Sequence, residues 1–138
     1  MRFLRFIVSQ KLGFIGIFMD KRGFTIKKQI LVVDDDEINR EVLDAILSED
    51  YNVLKADNGR EALDILEENP ENISLVILDV IMPVMDGYEV LDIIKSNPEL
   101  SSIPVIVATQ NDSEESKIAA LEHGATDFVT KPYRPKII

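Results

Sequence analysis

From residue 30 onward the chain alternates between two hydrophobic periods. Ile30-Leu31-Val32-Val33 is a short, wholly apolar run closed by Asp34-Asp35-Asp36, which reads as a strand buried on both faces. Ile38, Val42, Leu43, Ile46 and Leu47 then recur at helical spacing. The alternation continues through a short strand at Val53-Leu54, a helix carrying Ala62, Leu63, Ile65 and Leu66, a strand over 75–78, and a helix over 88–94. A strand over 105–108, a helix over 116–121 and a strand at Phe128-Val129 complete it. Five strands alternating with helices predict βαβ units with right-handed crossovers and a parallel sheet covered on both faces. Asn58 or Asp57 is placed to cap the second helix, and Gly124 suits the left-handed residue after the fourth. Pro135 stands where a fifth helix would open. Only Lys136, Ile137 and Ile138 follow, so that helix is expected to be truncated and the chain to be a fragment of a longer protein.

Composition sharpens this picture. A length of 138 residues suits one domain. The absence of Cys excludes disulfides, thiolate metal sites and Cys nucleophiles, and agrees with a cytoplasmic setting. A net charge of −10 argues against a nucleic-acid surface on this domain. The charge is uneven: residues 1–29 hold seven Lys/Arg against Asp20 alone, whereas residues 30–138 hold eight against 24 acids. Five of the six Phe also precede position 25. Residues 1–28 are therefore expected to form a basic, Phe-rich and poorly ordered extension, with the domain proper at 29–138. The apolar stretch 12–19 is too short for a membrane span, which needs roughly 20 residues. Asp20-Lys21-Arg22 is the wrong ending for a signal peptide. A basic membrane-surface segment is the sharper alternative.

Ligands in a parallel α/β sheet bind beyond the carboxyl ends of the strands, so polar residues that close apolar runs are the ones to collect. Strand one ends in Asp34-Asp35, strand three in Asp79, strand four in Thr109 and strand five in Lys131. Three carboxylates brought together repel one another unless a cation joins them. An all-oxygen set without His or Cys favours Mg²⁺, with Mn²⁺ as the alternative. Mg²⁺ accepts phosphate oxygens readily, Lys131 adds a positive charge and Thr109 a hydroxyl donor, which together suit phosphoryl transfer. Asp79, the single acid ending the central strand, is the candidate nucleophile. The lone His123 reads as a surface residue rather than a ligand or phosphoacceptor. Taken singly, each residue has a bland explanation: Asp34, Asp35 or Asp36 as a helix cap, Thr109 as a strand former, Lys131 as a solvated cation. Four strand ends with complementary chemistry make that explanation poor.

The stretches ILVVDDDEINR, ADNGREAL, LVILDVIMPVMDGYEVL, IPVIVAT and GATDFVTKP resemble the receiver domains of two-component response regulators. The resemblance implies a flavodoxin-like, doubly wound five-stranded parallel sheet of order 2-1-3-4-5, with the first and fifth helices on one face and three on the other. It implies Asp79 as phosphoacceptor, Asp34, Asp35 and Asp79 with the Ile81 backbone carbonyl as metal ligands, Thr109 and Lys131 as catalytic partners, and Thr109 and Phe128 as switch residues. It also implies a cis bond between Lys131 and Pro132. The expected partners are a histidine kinase or histidine phosphotransfer protein, a downstream effector domain outside this chain, and a phosphorylation-dependent dimer. Such a domain phosphorylates and dephosphorylates itself and is not a turnover enzyme.

Two departures qualify the resemblance. Gln110 stands where a smaller residue is usual, and the fifth helix is missing. The second departure raises the question of what covers the sheet there, and residues 12–19 are the spare apolar material. A phosphohydrolase with an Asp nucleophile is the enzymatic rival, but it would want a second Asp at the position of Ile81. A binding module with the fold and no chemistry is the other rival. Ile81 and Asn111 would govern water access to the phosphorylated Asp79, and an apolar Ile81 predicts a long-lived acyl phosphate.

Overall fold

The computed structural model describes residues 2–12, 17–19, 21–82, 84–110 and 113–131. In chain order the elements are α1 (Arg2–Leu12), β1 (Ile17–Met19), β2 (Thr25–Lys27), β3 (Gln29–Val33), α2 (Glu37–Leu47), β4 (Asn52–Ala56), α3 (Gly59–Glu68), β5 (Ile73–Asp79), α4 (Gly87–Ser96), β6 (Val105–Thr109), α5 (Glu114–Glu122) and β7 (Asp127–Thr130). Strands β3 to β7 form one sheet in the order β4-β3-β5-β6-β7, parallel at every pairing. Counted from β3, this is the expected 2-1-3-4-5 order. The apolar strand runs force burial on both faces, so the sheet is covered on both sides.

Successive side chains point to opposite faces of a strand, and two cores result. Leu31, Val33, Val76, Leu78, Val105 and Val107 pack with residues of α3 and α4 and with Ala120 of α5. Ile30, Val32, Leu75, Ile77, Ile106, Ala108 and Val129 pack on the other side with Leu43 and Leu47 of α2. Each helix of this α/β unit opens on a side-chain cap: Asp36 accepts from the Ile38 amide, Asn58 from Glu61, Asp86 from Glu89 and Ser113 from Ser116. Asn58, rather than Asp57, is therefore the cap of α3. Gly124 takes φ +97° after α5, as a left-handed residue there requires.

Residues 2–12 form α1, whose Leu4, Ile7, Val8 and Leu12 are buried in the same core as α2 and the strand residues Ile106, Ala108 and Val129. Their i, i+3, i+4, i+8 spacing puts all four on one helix face. That face supplies the apolar cover which the resemblance assigned to helix five. The covering segment is thus 2–12 rather than 12–19, of which residues 17–19 pair antiparallel with β2 in a separate two-stranded sheet. Polar contacts reinforce the docking. Arg5 pairs with Asp50 at 2.9 Å, Lys11 with Asp127 at 3.9 Å, and Lys28 Nζ donates to the Leu12 carbonyl at 2.7 Å. The expectation for a helix after β7 concerns residues 132–138, which lie outside the described residues. So does the expected cis bond to Pro132.

Candidate functional site

Parallel register brings the strand-closing residues to one edge. Val33 lies opposite Leu78, which sets Asp34 and Asp79 side by side one step further on. Asp79 in turn lies opposite Ala108, the residue before Thr109, and Thr109 opposite Thr130, the residue before Lys131. The Lys131 amide donates to the Thr109 carbonyl at 2.8 Å, tying the last two strand ends together.

The side chains converge as the register demands. Carboxylate oxygens of Asp34, Asp35 and Asp79 lie within 4.8 Å of one another. Lys131 Nζ sits 3.0 Å from Asp79 Oδ1 and 3.1 Å from Asp34 Oδ2. Asp34 and Asp79 are 1% and 4% exposed, while Asp35 is exposed to solvent. These groups line a cleft of about 290 Å³ together with Asp36, Asn39, Val80, Ile81 and Gln110. Gln110, exposed to solvent, is one of the residues lining this cleft. Thr109 is buried at the end of β6. Phe128 is half-buried on the three-helix face, with the Lys117 ammonium 5.3 Å from its ring centroid. Ile81 is 75% exposed at the rim, and its amide faces Asp79 Oδ1 at 3.3 Å. Asn111 lies outside the described residues.

The three consecutive acids divide their work. Asp36 caps α2 through Oδ1, leaving Asp34 and Asp35 for the cleft. Asp34 is held from both ends: its Oδ1 accepts the Asp36 amide at 2.9 Å, and its carbonyl accepts Arg40 Nη1 at 2.6 Å. Its other oxygen, Oδ2, is buried without an aligned hydrogen-bond donor among the described residues, although the Lys131 ammonium is close enough for an ion pair. Burial pushes the Asp79 carboxyl up to about 6, against the pull of its Lys131 hydrogen bond, and the neighbouring Asp34 charge adds to the rise. Burial alone would lower the Lys131 ammonium, but Asp79 and Asp34 outweigh it and hold it above the ordinary lysine value. A buried carboxylate short of donors, beside two more carboxylates and one cation, is an oxygen-donor set with negative charge to spare. A hard divalent cation fits it.

Sequence reasoning missed Gly87. A Cβ there would run into the Asp79 carbonyl oxygen and would lie 2.6 Å from the Val80 Cα. The Gly87 amide also donates to the Val80 carbonyl at 2.9 Å. The first turn of α4 is thus pressed against the backbone that carries Asp79. A Gly at the first helical position after Met85-Asp86 is the only trace in the sequence. Arg40 and Asn39 were equally silent, being one polar face of an unremarkable helix. His123 is the expected surface residue, with Nδ1 2.7 Å from Asp92 Oδ1 and its ring 4.6 Å from that of Tyr88.

Comparison with known proteins agrees with this geometry. The response regulator receiver domain pattern matches residues 30–138. "Histidine kinase P4" of Formosa agariphila is 40% identical over 110 residues, which are 80% of this chain and 8% of that protein. The chain spans half or less of the curated relatives it matches, from 8% to 50%. Among solved structures, the Vibrio cholerae chemotaxis protein CheY4 superposes with a TM-score of 0.72 at 30% identity, over 78% of this chain and 88% of that one. The Mn²⁺-bound form of response regulator Rcp1 gives 0.69 at 32% identity, over 78% and 83%.

Proposed function

Because the chain belongs to the response regulator receiver domains of two-component signalling, which are signalling domains rather than turnover enzymes, we propose that it accepts a phosphoryl group on Asp79 from a phosphohistidine donor. The observation that carries this reading is the edge cluster: three carboxylates within 4.8 Å and a lysine 3.0 Å from the central one. Asp34, Asp35 and Asp79, with the Ile81 carbonyl, would hold Mg²⁺ or Mn²⁺. Such an ion, when bound, offsets the carboxylate repulsion and the charge of incoming phosphoryl oxygens.

An Asp79 carboxylate oxygen forms the new bond to phosphorus as the donor's nitrogen–phosphorus bond breaks. The imidazole leaves with that electron pair and takes a proton. Lys131 exchanges its Asp79 partner for a phosphoryl oxygen, and the Thr109 hydroxyl donates to another. Both residues end strands, so their approach to the phosphoryl group shifts β6 and β7 and carries the signal to Phe128. The partners are a histidine kinase or phosphotransfer protein and an effector beyond this chain, with a phosphorylation-dependent dimer as a further outcome. No helix among the described residues is long and apolar enough to cross a membrane, and the reading assigns the domain to the cytoplasm, where its donors act.

Incubation with acetyl phosphate and Mg²⁺, followed by intact mass measurement, tests the reading. One phosphoryl group should be added to the unmodified chain and none to Asp79→Asn. Phosphorylation surviving Asp79→Asn, or absent from the unmodified chain, rejects it.

A further inference from the structure

We propose that α1 is a regulatory strap, packed in one core with α2 and with residues of β6 and β7, whose hold on the sheet weakens when a phosphoryl group is placed on Asp79. The inference rests on the reading of Asp79 as phosphoacceptor and extends it to a segment outside the matched residues 30–138.

The core that buries α1 contains residues of the two strands that deliver the reactive groups, together with residues of α2, β3 and β5. Ala108 is buried in the α1 core and precedes Thr109. Val129 is buried there too, two residues before Lys131. On its strand Ala108 is also the register partner of Asp79. Leu4, Ile7, Val8 and Leu12 therefore share a core with residues of β6 and β7 in the arrangement where Lys131 bridges Asp34 and Asp79. A phosphoryl group on Asp79 competes for Lys131 and for the Thr109 hydroxyl, and both must be supplied by moving the strand ends. Close-packed interiors respond to such shifts by exchanging one packing for another rather than by stretching. The element that can exchange most cheaply is α1. Among the described residues it is held by one row of side chains, by the pairs Arg5–Asp50 and Lys11–Asp127 and by the Lys28 bond to the Leu12 carbonyl, and partly exposed pairs of that kind contribute little each. Release would lay bare an apolar face on Ile106, Ala108 and Val129, giving the phosphorylated form a surface that the resting form lacks.

Coupling of this kind is reciprocal: whatever loading does to α1, removal of α1 must do to loading. Amide hydrogen exchange along the full chain, with and without Mg²⁺ and beryllofluoride, reads the first direction, while fluorine NMR of bound beryllofluoride reports occupancy. Exchange across α1 should quicken by about fivefold or more on loading, with α3 on the opposite face as the internal control. Val8→Asp reads the second direction, since a carboxylate cannot stay in that apolar core. It should bind beryllofluoride tighter by a similar factor. If beryllofluoride binds and α1 exchange is unchanged, or if folded Val8→Asp binds it no more tightly, the strap is refuted and the phosphoacceptor reading stands. If no beryllofluoride binds, both fall.

Discussion

Replacing Gly87 by Ala isolates the link between fold and site. In an ordinary helix the change would add up to ~1 kcal/mol of stability by restricting the unfolded chain and favouring helical backbone. Here the new methyl meets the Asp79 carbonyl, the Val80 Cα at 2.6 Å and the Asp79 carbonyl carbon at 2.9 Å. All three are backbone atoms at the end of the central strand β5 or one residue past it, so no rotamer can relieve the contact. Overpacking of this kind costs about 1–3 kcal/mol, which exceeds the helical gain and reverses the usual sign. The expected net effect is a loss of about 1–2 kcal/mol, read as a lower urea midpoint at unchanged slope. Because α4 can relax only by pushing on Asp79, Mg²⁺ affinity should fall in the same variant. A Gly87→Ala protein as stable as the parent, with undiminished metal binding, would refute the idea that α4 is seated on the Asp79 backbone.

Other expectations follow from the site and the leader. Asp35→Ala should weaken Mg²⁺ binding, whereas Asp36→Ala should leave it nearly intact and cost ~1 kcal/mol of stability through loss of the α2 cap; equal losses of affinity in a metal titration would contradict this division. Asp79 keeps its proton to about pH 6 in the fold against an ordinary value of 3.8, so the folded state binds more protons across that window and stability falls as pH rises through it. In metal-free buffer the melting temperature of Asp79→Asn should therefore gain on that of the parent between those pH values and hold level above them; a constant difference would remove burial as the cause. Leu4→Ala, which empties a fully buried position on α1, should cost about 2–5 kcal/mol, and a cost near zero in urea unfolding would show that α1 is not part of the core.

The sheet and its reactive edge were legible because the relevant signals are local and chemically uniform. The central strands β3, β5 and β6 carry apolar runs closed by polar residues, so LVILD and VIVAT announce both the element and the side chain it presents. The leader's signal is weaker: the apolar run 12–19, broken by Gly13 and Gly16, stands out, but a covering helix needs only one apolar stripe, and Leu4, Ile7, Val8 and Leu12 supply it among Arg5, Ser9, Gln10 and Lys11. Asp34, Asp35 and Asp36 could not be sorted into cap and cleft from spacing alone, because that depends on which way the loop turns. Gly87 was hidden because its requirement comes from the approach of another segment, which no local pattern encodes.

The position of α1 also bears on how the chain reaches its native state. The first helix and the last described strand share one core, with nearly the whole sequence looped out between them. Closing so long a loop gains nothing until β6 and β7 are already paired, so the core that α1 joins is incomplete before then. Its docking is expected to be the final, slow step, registering in unfolding rates more than in the rate at which the sheet assembles. During synthesis α1 leaves the ribosome before β6 and β7, which complete its core. Until then its apolar stripe is open to solvent and to chaperones, although the sequence that will cover it has yet to be translated.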